Sequence, residues 1–280
     1  MKVRLLVAYD GTPFRGWQSQ REGGTIQDIL ESAVAGIVGS RVVLHASGRT
    51  DAGVHALGQT VHFELDPDQA SRIDRMRDVS RWVPALNSIL PAELRVLRSS
   101  RAAAGFHARF STTGKIYRYE LWSGDVFPPL LVGRAWHLFR PIDPGIMEGL
   151  ASLIEGRHDF RVFCADSGSL PESTVRTLRR VRVRRRGPSM SVTLEGDGFL
   201  YRMVRMLVGG MVKCAQGKED PAVFERRLRE GKPWPTPAMA PSCGLYLVKA
   251  LYGRSGQRGQ HRQCGRQETS SEGDRPNGSA

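Results

Sequence analysis

The sequence predicts an α+β fold: two similar ferredoxin-like, RRM-like α/β halves with a mostly antiparallel sheet and a central active-site cleft. Three observations carry this expectation. Residues 3–99 run strand, helix, strand, strand, helix, strand, the order of a split βαβ unit. Strand and helix runs then return in a comparable order from Lys115 to Leu251. The chain has 280 residues, 40% of them hydrophobic, enough for the core of one large or two modest domains. The halves are expected at 1–112 and 113–252, with a tail at 253–280.

Val3 to Tyr9 alternates as a strand and leads into Asp10-Gly11-Thr12-Pro13-Phe14-Arg15-Gly16-Trp17, a loop punctuated by Gly and Pro. Its Trp17 either stacks on a base or caps the core. Thr25-Ile26-Gln27-Asp28 has the capping-box form, and Ile26, Ile29, Leu30, Ala33, Val34 and Ile37 follow at helical spacing up to Gly39. Val42 to His45 and Gln59 to Leu65 read as strands flanking a polar loop. A less regular helix lies within 68–90, where Trp82-Val83-Pro84 breaks it or starts a new turn, and Leu94 to Ser99 is again a strand. This order also serves RNA-recognition domains.

Phe106 to Gly114 is the expected crossing between halves. Lys115 to Leu121 alternates cleanly, placing Tyr117 and Tyr119 on one strand face and Arg118 on the other. A helix is expected from Asp143 to Glu155, then a Gly/Ser-rich loop at 164–169, a plausible RNA contact whose role stays open. In Val175 to Arg186 the valines and Leu178 interleave with Arg176, Arg179, Arg180, Arg182, Arg184, Arg185 and Arg186. Such a strand has a basic outer face, which either blunts a sheet edge or tracks a phosphate backbone. Met190 to Glu195 is a strand and Phe199 to Ala215 an apolar helix, with Arg202 and Arg205 three apart on one face. An arginine buried on such a helix needs a carboxylate. A short helix at 221–229, a stiff Pro233–Pro237 loop and a strand at 244–251 complete the fold. Residues 253–280 are rich in Gly, Arg, Gln and Ser and are expected to be a disordered basic tail.

Net charge is +13, from 41 Lys and Arg against 28 Asp and Glu. An excess of that size favours a polyanionic partner, and arginine suits phosphate and base contacts. The four cysteines have no CxxC spacing, which argues against structural zinc and disulfides. No apolar run approaches the ~20 residues of a membrane span. The N-terminus reads as a strand rather than a signal peptide, so a cytoplasmic location is expected.

The polar loop Ala46-Ser47-Gly48-Arg49-Thr50-Asp51-Ala52-Gly53-Val54-His55-Ala56 is the candidate chemical centre. Its glycines allow a fixed, sharp shape that presents Asp51 with Arg49 two residues away. A nearby cation keeps a desolvated carboxylate ionised, as a nucleophile or base requires. The alternative is an Asx-turn in which Asp51 bonds its own backbone.

Gly48 to Ala56 resembles the signature of the tRNA pseudouridine synthase A (TruA-type) family. The resemblance extends to Tyr9-Asp10-Gly11-Thr12, Gly16-Trp17-Gln18-Ser19-Gln20, Phe106-His107-Ala108-Arg109-Phe110, Tyr117-Arg118-Tyr119, Met203-Val204-Arg205 and Gly244-Leu245-Tyr246-Leu247-Val248. These segments stand in the family's order over roughly residues 1–252. The resemblance implies a homodimer that grips one tRNA and isomerises uridine to pseudouridine at position 38, 39 or 40 of the anticodon arm. It implies Asp51 as the nucleophile with Arg205 as its partner, Tyr117 stacked on the base and able to help remove the C5 proton, and Leu245 under the base. Arg49 would fill the space of the flipped nucleotide. His55 is left as a packing or capping residue. The isomerisation involves no redox change, so no cofactor and no metal are expected.

The other classes are a non-catalytic tRNA-binding protein or RNA chaperone of the same fold and a different base-modifying enzyme. A zinc deaminase would need an HxE…PCxxC arrangement, which the sequence lacks. A dinucleotide fold would need a GxGxxG turn after the first strand, which Gly11 and Gly16 do not supply.

Overall fold

The structure is a computed structural model that describes residues 1–165, 172–231 and 238–253. The tail beyond 253, most of the 164–169 loop and the Pro233–Pro237 loop lie outside the described residues.

The first half contributes β1 (Lys2–Tyr9), α1 (Ile26–Val38), β2 (His45–Ala46), β3 (His55–Glu64), α2 (Pro67–Arg72), α3 (Trp82–Asn87) and β4 (Leu94–Arg101). The rest of the chain adds β5 (Thr112–Trp122), β6 (Trp136–His137), α4 (Pro144–Ile154), β7 (Gly156–Asp159), β8 (Val175–Arg186), β9 (Ser189–Gly196), α5 (Met203–Ala215), α6 (Pro221–Glu230) and β10 (Leu245–Tyr252). The ten described strands join one sheet in the order β4-β1-β3-β10-β5-β9-β8-β7, with β2 on β3 and β6 on β5. Read in halves, β4-β1-β3-β2 and β10-β5-β9-β8 each have the ferredoxin-like order. Parallel pairing of β10 with β3, Tyr246 to His55 and Leu247 to Ala56, fuses the two into one surface. The last strand among the described residues is therefore central.

Local chemistry explains the elements. The Thr25 side chain accepts the Asp28 amide at the start of α1, and Gly39 ends the helix at φ 77°. Asp66 and Gln69 form a reciprocal capping box on α2, and Pro84 falls in the first turn of α3, where its missing N–H costs little. Asp143 caps α4 through the amides of Gly145 and Ile146. One face of the sheet carries Val3, Leu5 and Val7 of β1, Tyr117, Tyr119 and Leu121 of β5, and Met190, Val192 and Leu194 of β9. These pack into one core with Ile26, Leu30 and Val34 of α1, Met147 and Ile154 of α4, and Leu207 and Met211 of α5. Each such fully buried side chain is worth about 2 kcal/mol. The opposite face is polar, with Arg118, Thr193 and Arg182 in register across β5, β9 and β8.

Several elements differ from the pattern-based expectation: β3 opens at His55 rather than Gln59, and 67–87 holds two short α-helices rather than one. Of Val42–His45, only His45 enters a strand, because the Leu44 amide donates to the Glu31 carboxylate of α1 rather than to a ladder. The helix expected from Phe199 begins at Met203, and Arg202 before it adopts left-handed backbone at φ 57°. In β8 a register shift between Leu178 and Arg180 lets Leu178 and Val181 both face inward, leaving Arg179 and Arg180 exposed. β7 covers β8 only at Val175–Leu178, so the arginine-rich remainder is an edge. Among the described residues no helix is long and apolar enough to cross a membrane.

Candidate active site

The loop between β2 and β3 is held from beneath. Gln59 on β3 is fully buried, donates to the Gly48 carbonyl at 2.6 Å and receives the Ser47 hydroxyl. The Thr50 hydroxyl meets the Tyr9 hydroxyl at 2.8 Å, while the Thr50 carbonyl accepts the Trp17 amide at 3.0 Å. Gly16, at φ 87°, lets this strand of loop approach: a Cβ there would stand 2.9 Å from the Thr50 carbonyl oxygen. Trp17 is 2% exposed and belongs to the core, which settles its role as a cap.

The Asp51 carbonyl accepts the Val54 amide at 3.1 Å, closing the turn through backbone alone. Its carboxylate is therefore free of the Asx-turn role and reaches the other half of the molecule. Oδ2 accepts from Arg205 Nη1 at 2.9 Å and lies 3.6 Å from Arg202 Nε. Arg205 is buried on α5 and is fixed a second time, its Nε donating to the Ala240 carbonyl at 2.8 Å. Its desolvation is thus compensated by one charge and one carbonyl. Arg202 lies just outside α5, and its guanidinium also covers the Tyr201 ring at 4.7 Å. A non-glycine residue in left-handed backbone costs on the order of 1 kcal/mol and recurs at functional sites.

Tyr117 on β5 is buried, with the Phe199 ring edge-on at 5.0 Å. Burial pushes its hydroxyl well above the usual phenol range, and the proximity of Tyr9 and Asp51 adds to the rise. Leu245 opens β10 and pairs with Tyr119, next to Tyr117 along β5; it too is buried. Arg49 is exposed and has no side-chain hydrogen bond or ion pair among the described residues. The structure thus joins Asp51 to Arg205, sets Tyr117 close enough to feel the carboxylate, and leaves Arg49 pointing outward without a partner.

His55 is 2% exposed and ties three segments together. Its Nδ1 accepts the Gly11 amide at 3.0 Å, and Nε2 meets the carbonyls of Gly133 at 2.8 Å and Cys243 at 3.0 Å. Both ring nitrogens face backbone groups, and Nδ1 also lies 3.2 Å from the Asp10 carboxylate, contacts that suit a structural cap. Arg202, Gln59 and Tyr9 are site residues to which the sequence pattern assigns no role in the site. Arg202 sat three residues from Arg205, but helical spacing assigned it to the wrong backbone. A depression of about 500 Å³ lined by Asp143, Ile146, Pro221 and Glu225 lies at α4 and α6 and contains none of these residues.

This site belongs to a recognisable lineage. A family model described as tRNA pseudouridine synthase matches residues 5–111 and 150–253, spanning the loop of Asp51 and the helix of Arg205. The chain is 40% identical over 259 residues to tRNA pseudouridine synthase A of Akkermansia muciniphila, covering 90% of this chain and 95% of that one. It is 37% identical over 256 residues to tRNA pseudouridine synthase A of Acetivibrio thermocellus, covering 89% and 99%. A solved H/ACA RNP bound to a substrate RNA containing 2′-deoxyuridine is similar at TM-score 0.32 and 12% identity, over 89% of this chain and 47% of that one, too slight a likeness to carry an argument. The family match and the full-length relatives agree: this chain belongs to the tRNA pseudouridine synthase family.

Proposed function

We propose that the chain isomerises uridine to pseudouridine at position 38, 39 or 40 of the tRNA anticodon arm, with Asp51 as its nucleophile. The observation that carries this reading is the Asp51 carboxylate presented at the end of a rigid loop, 2.9 Å from the buried Arg205 guanidinium and beside Tyr117. We further propose that it acts in the cytoplasm as a homodimer, one tRNA being gripped across both subunits. Within each subunit, residues 1–112 supply the Asp51 loop and 113–252 supply Tyr117, Arg205 and Leu245.

The reaction breaks the N1–C1′ bond, turns the base and joins C5 to C1′. The C5 proton is released, N1 gains one, and no electrons are exchanged with an outside partner. Asp51 attacks C1′, attacks C6, or removes the 2′ proton on a glycal route; all three need an ionised carboxylate fixed under the nucleotide. Arg205 orients it through its second anchor at Ala240. Tyr117 stacks on the base, and Leu245 forms the floor. Arg49, which has no partner among the described residues, fills the gap in the RNA and offsets the few kcal/mol of unstacking.

The test uses tRNA transcripts tritiated at uridine C5, with positions 38, 39 and 40 replaced singly and together by cytidine. Tritium release confined to transcripts that keep a uridine at one of these positions is expected. Undiminished release from the triple replacement would overturn the assignment.

A further inference from the structure

Lys115, at the edge of this site, stands out as a cation with no counter-ion among the described residues. It lies on β5 two residues before Tyr117, so the two side chains share a strand face. Its ammonium rests on the loop that carries Asp51: a Cβ built at Gly48 would meet Lys115 Nζ at 2.7 Å and Cε at 3.3 Å. A Cβ at position 48 would displace the end of the lysine from where it rests. Among the described residues Lys115 has no carboxylate and no hydrogen bond. Its sheet neighbours are Gly196 on β9 and Ala250 on β10, and the charged group acting on it is Arg109 in the preceding crossing. The one carboxylate of the adjoining loop, Asp51, is taken by Arg202 and Arg205.

An unpaired, half-buried ammonium is costly to a fold. Burial first, and Arg109 second, pull the Lys115 pKa down to about 8. A lysine kept in such a place serves an anion that arrives from outside, as a compact point charge serves a phosphate. A nucleotide with its base on Tyr117 and its sugar over Asp51 has its flanking phosphate within one sugar of both. Lys115 sits beside both residues' elements.

We propose that Lys115 binds a backbone phosphate flanking the target uridine and so fixes the flipped nucleotide between Tyr117 and Asp51. This rests on the reading that Tyr117 and Asp51 hold that nucleotide. Arg49 fills the vacated stack; Lys115 holds the phosphate.

The experiment compares wild type, Lys115→Met, Lys115→Arg and Asp51→Asn for tRNA affinity and tritium release. Lys115→Met should raise KM about tenfold with a much smaller change in kcat, as for a contact made equally before and in the transition state. Its slope of log affinity against log salt should fall in magnitude by about 0.7, the share of one single-strand phosphate contact. Between pH 7 and 9.5 wild-type affinity should fall as Lys115 deprotonates, and Lys115→Arg should remove that component while restoring KM. Lys115→Met should also melt no lower than wild type at pH 7, since it removes an unpaired charge. Wild-type KM and salt slope in Lys115→Met, or an unchanged pH fall in Lys115→Arg, would overturn the proposal. Full turnover by Asp51→Asn would instead remove the underlying site reading, so the two failures are distinguishable.

Discussion

Arg205 and Asp51, 154 positions apart in the chain, meet at 2.9 Å between the guanidinium and the carboxylate. The pair links the α5 helix of one half to the β2–β3 loop of the other, and a second guanidinium, that of Arg202, stands 3.6 Å from the same oxygen. Truncating Arg205 strands a partly buried carboxylate and empties buried space. Arg205→Ala is expected to lose about 2–3 kcal/mol of stability in urea melts. Turnover should fall about 100-fold or more at saturating tRNA, an effect larger than any change in KM. Arg205→Lys keeps the charge but cannot hold Asp51 and the Ala240 carbonyl together, so it should recover stability better than rate.

Arg202 separates strain from function. Its left-handed backbone, φ 57°, is a conformation glycine takes without cost. Arg202→Gly should therefore leave the melting temperature close to wild type, or raise it, while lowering turnover about tenfold through loss of the second guanidinium. A large drop in stability with unchanged turnover would make Arg202 a structural residue.

The Tyr117 hydroxyl carries a signature in the pH–rate profile. Burial, with Tyr9 and Asp51 nearby, raises its pKa, so the phenol stays neutral throughout the working range. No rate increase assignable to a Tyr117 phenolate is expected between pH 7 and 10. Tyr117→Phe should keep the stacking face and tRNA affinity, whereas Tyr117→Ala should weaken both binding and rate, base stacking being worth about 1–3 kcal/mol. Equal affinities for the Ala and Phe variants would remove the stacking role.

His62 should make stability sensitive to acid. It is 4% exposed, its Nδ1 accepts the Ala108 amide at 3.1 Å, and its rings of contact are His45, His107 and Phe106. Burial first, then the charges of His107, His45 and Lys2, lower its pKa to about 4. Because the unfolded chain titrates this group near 6.5, it binds more protons than the folded chain between pH 6.5 and 4. Stability contributed by neutral His62 is thus complete above 6.5 and is lost as pH falls toward 4. His62→Asn, which can still accept the Ala108 amide, should flatten the loss seen in melts across that window.

Much of this was legible in the chain because it rests on local rules. The Thr25 cap, the alternation of β5 and the glycine-bracketed Asp51 loop each follow from residue chemistry within a few positions. The ferredoxin-like order of each half follows from the succession of runs. The placement of β10 between β3 and β5 does not, since no local signal says which strand a final segment will join. Family resemblance identified the Asp51–Arg205 pair; periodicity alone gave only a buried arginine in need of a carboxylate. Helical spacing misplaces Arg202 because it assumes helical backbone, and the chain turns left-handed there. Lys115 was hidden for another reason: its partnerless state is a property of its surroundings in three dimensions, and its own strand pattern is unremarked by it.

The account turns on Asp51, and the most direct measurement is tritium release from C5-tritiated tRNA by wild type and Asp51→Asn, with tRNA affinity measured for both. Release by wild type alone, at equal affinity and with similar melting, is the predicted result. Release by Asp51→Asn at the wild-type rate would contradict the account, because the carboxylate held by Arg205 would then have no part in the chemistry.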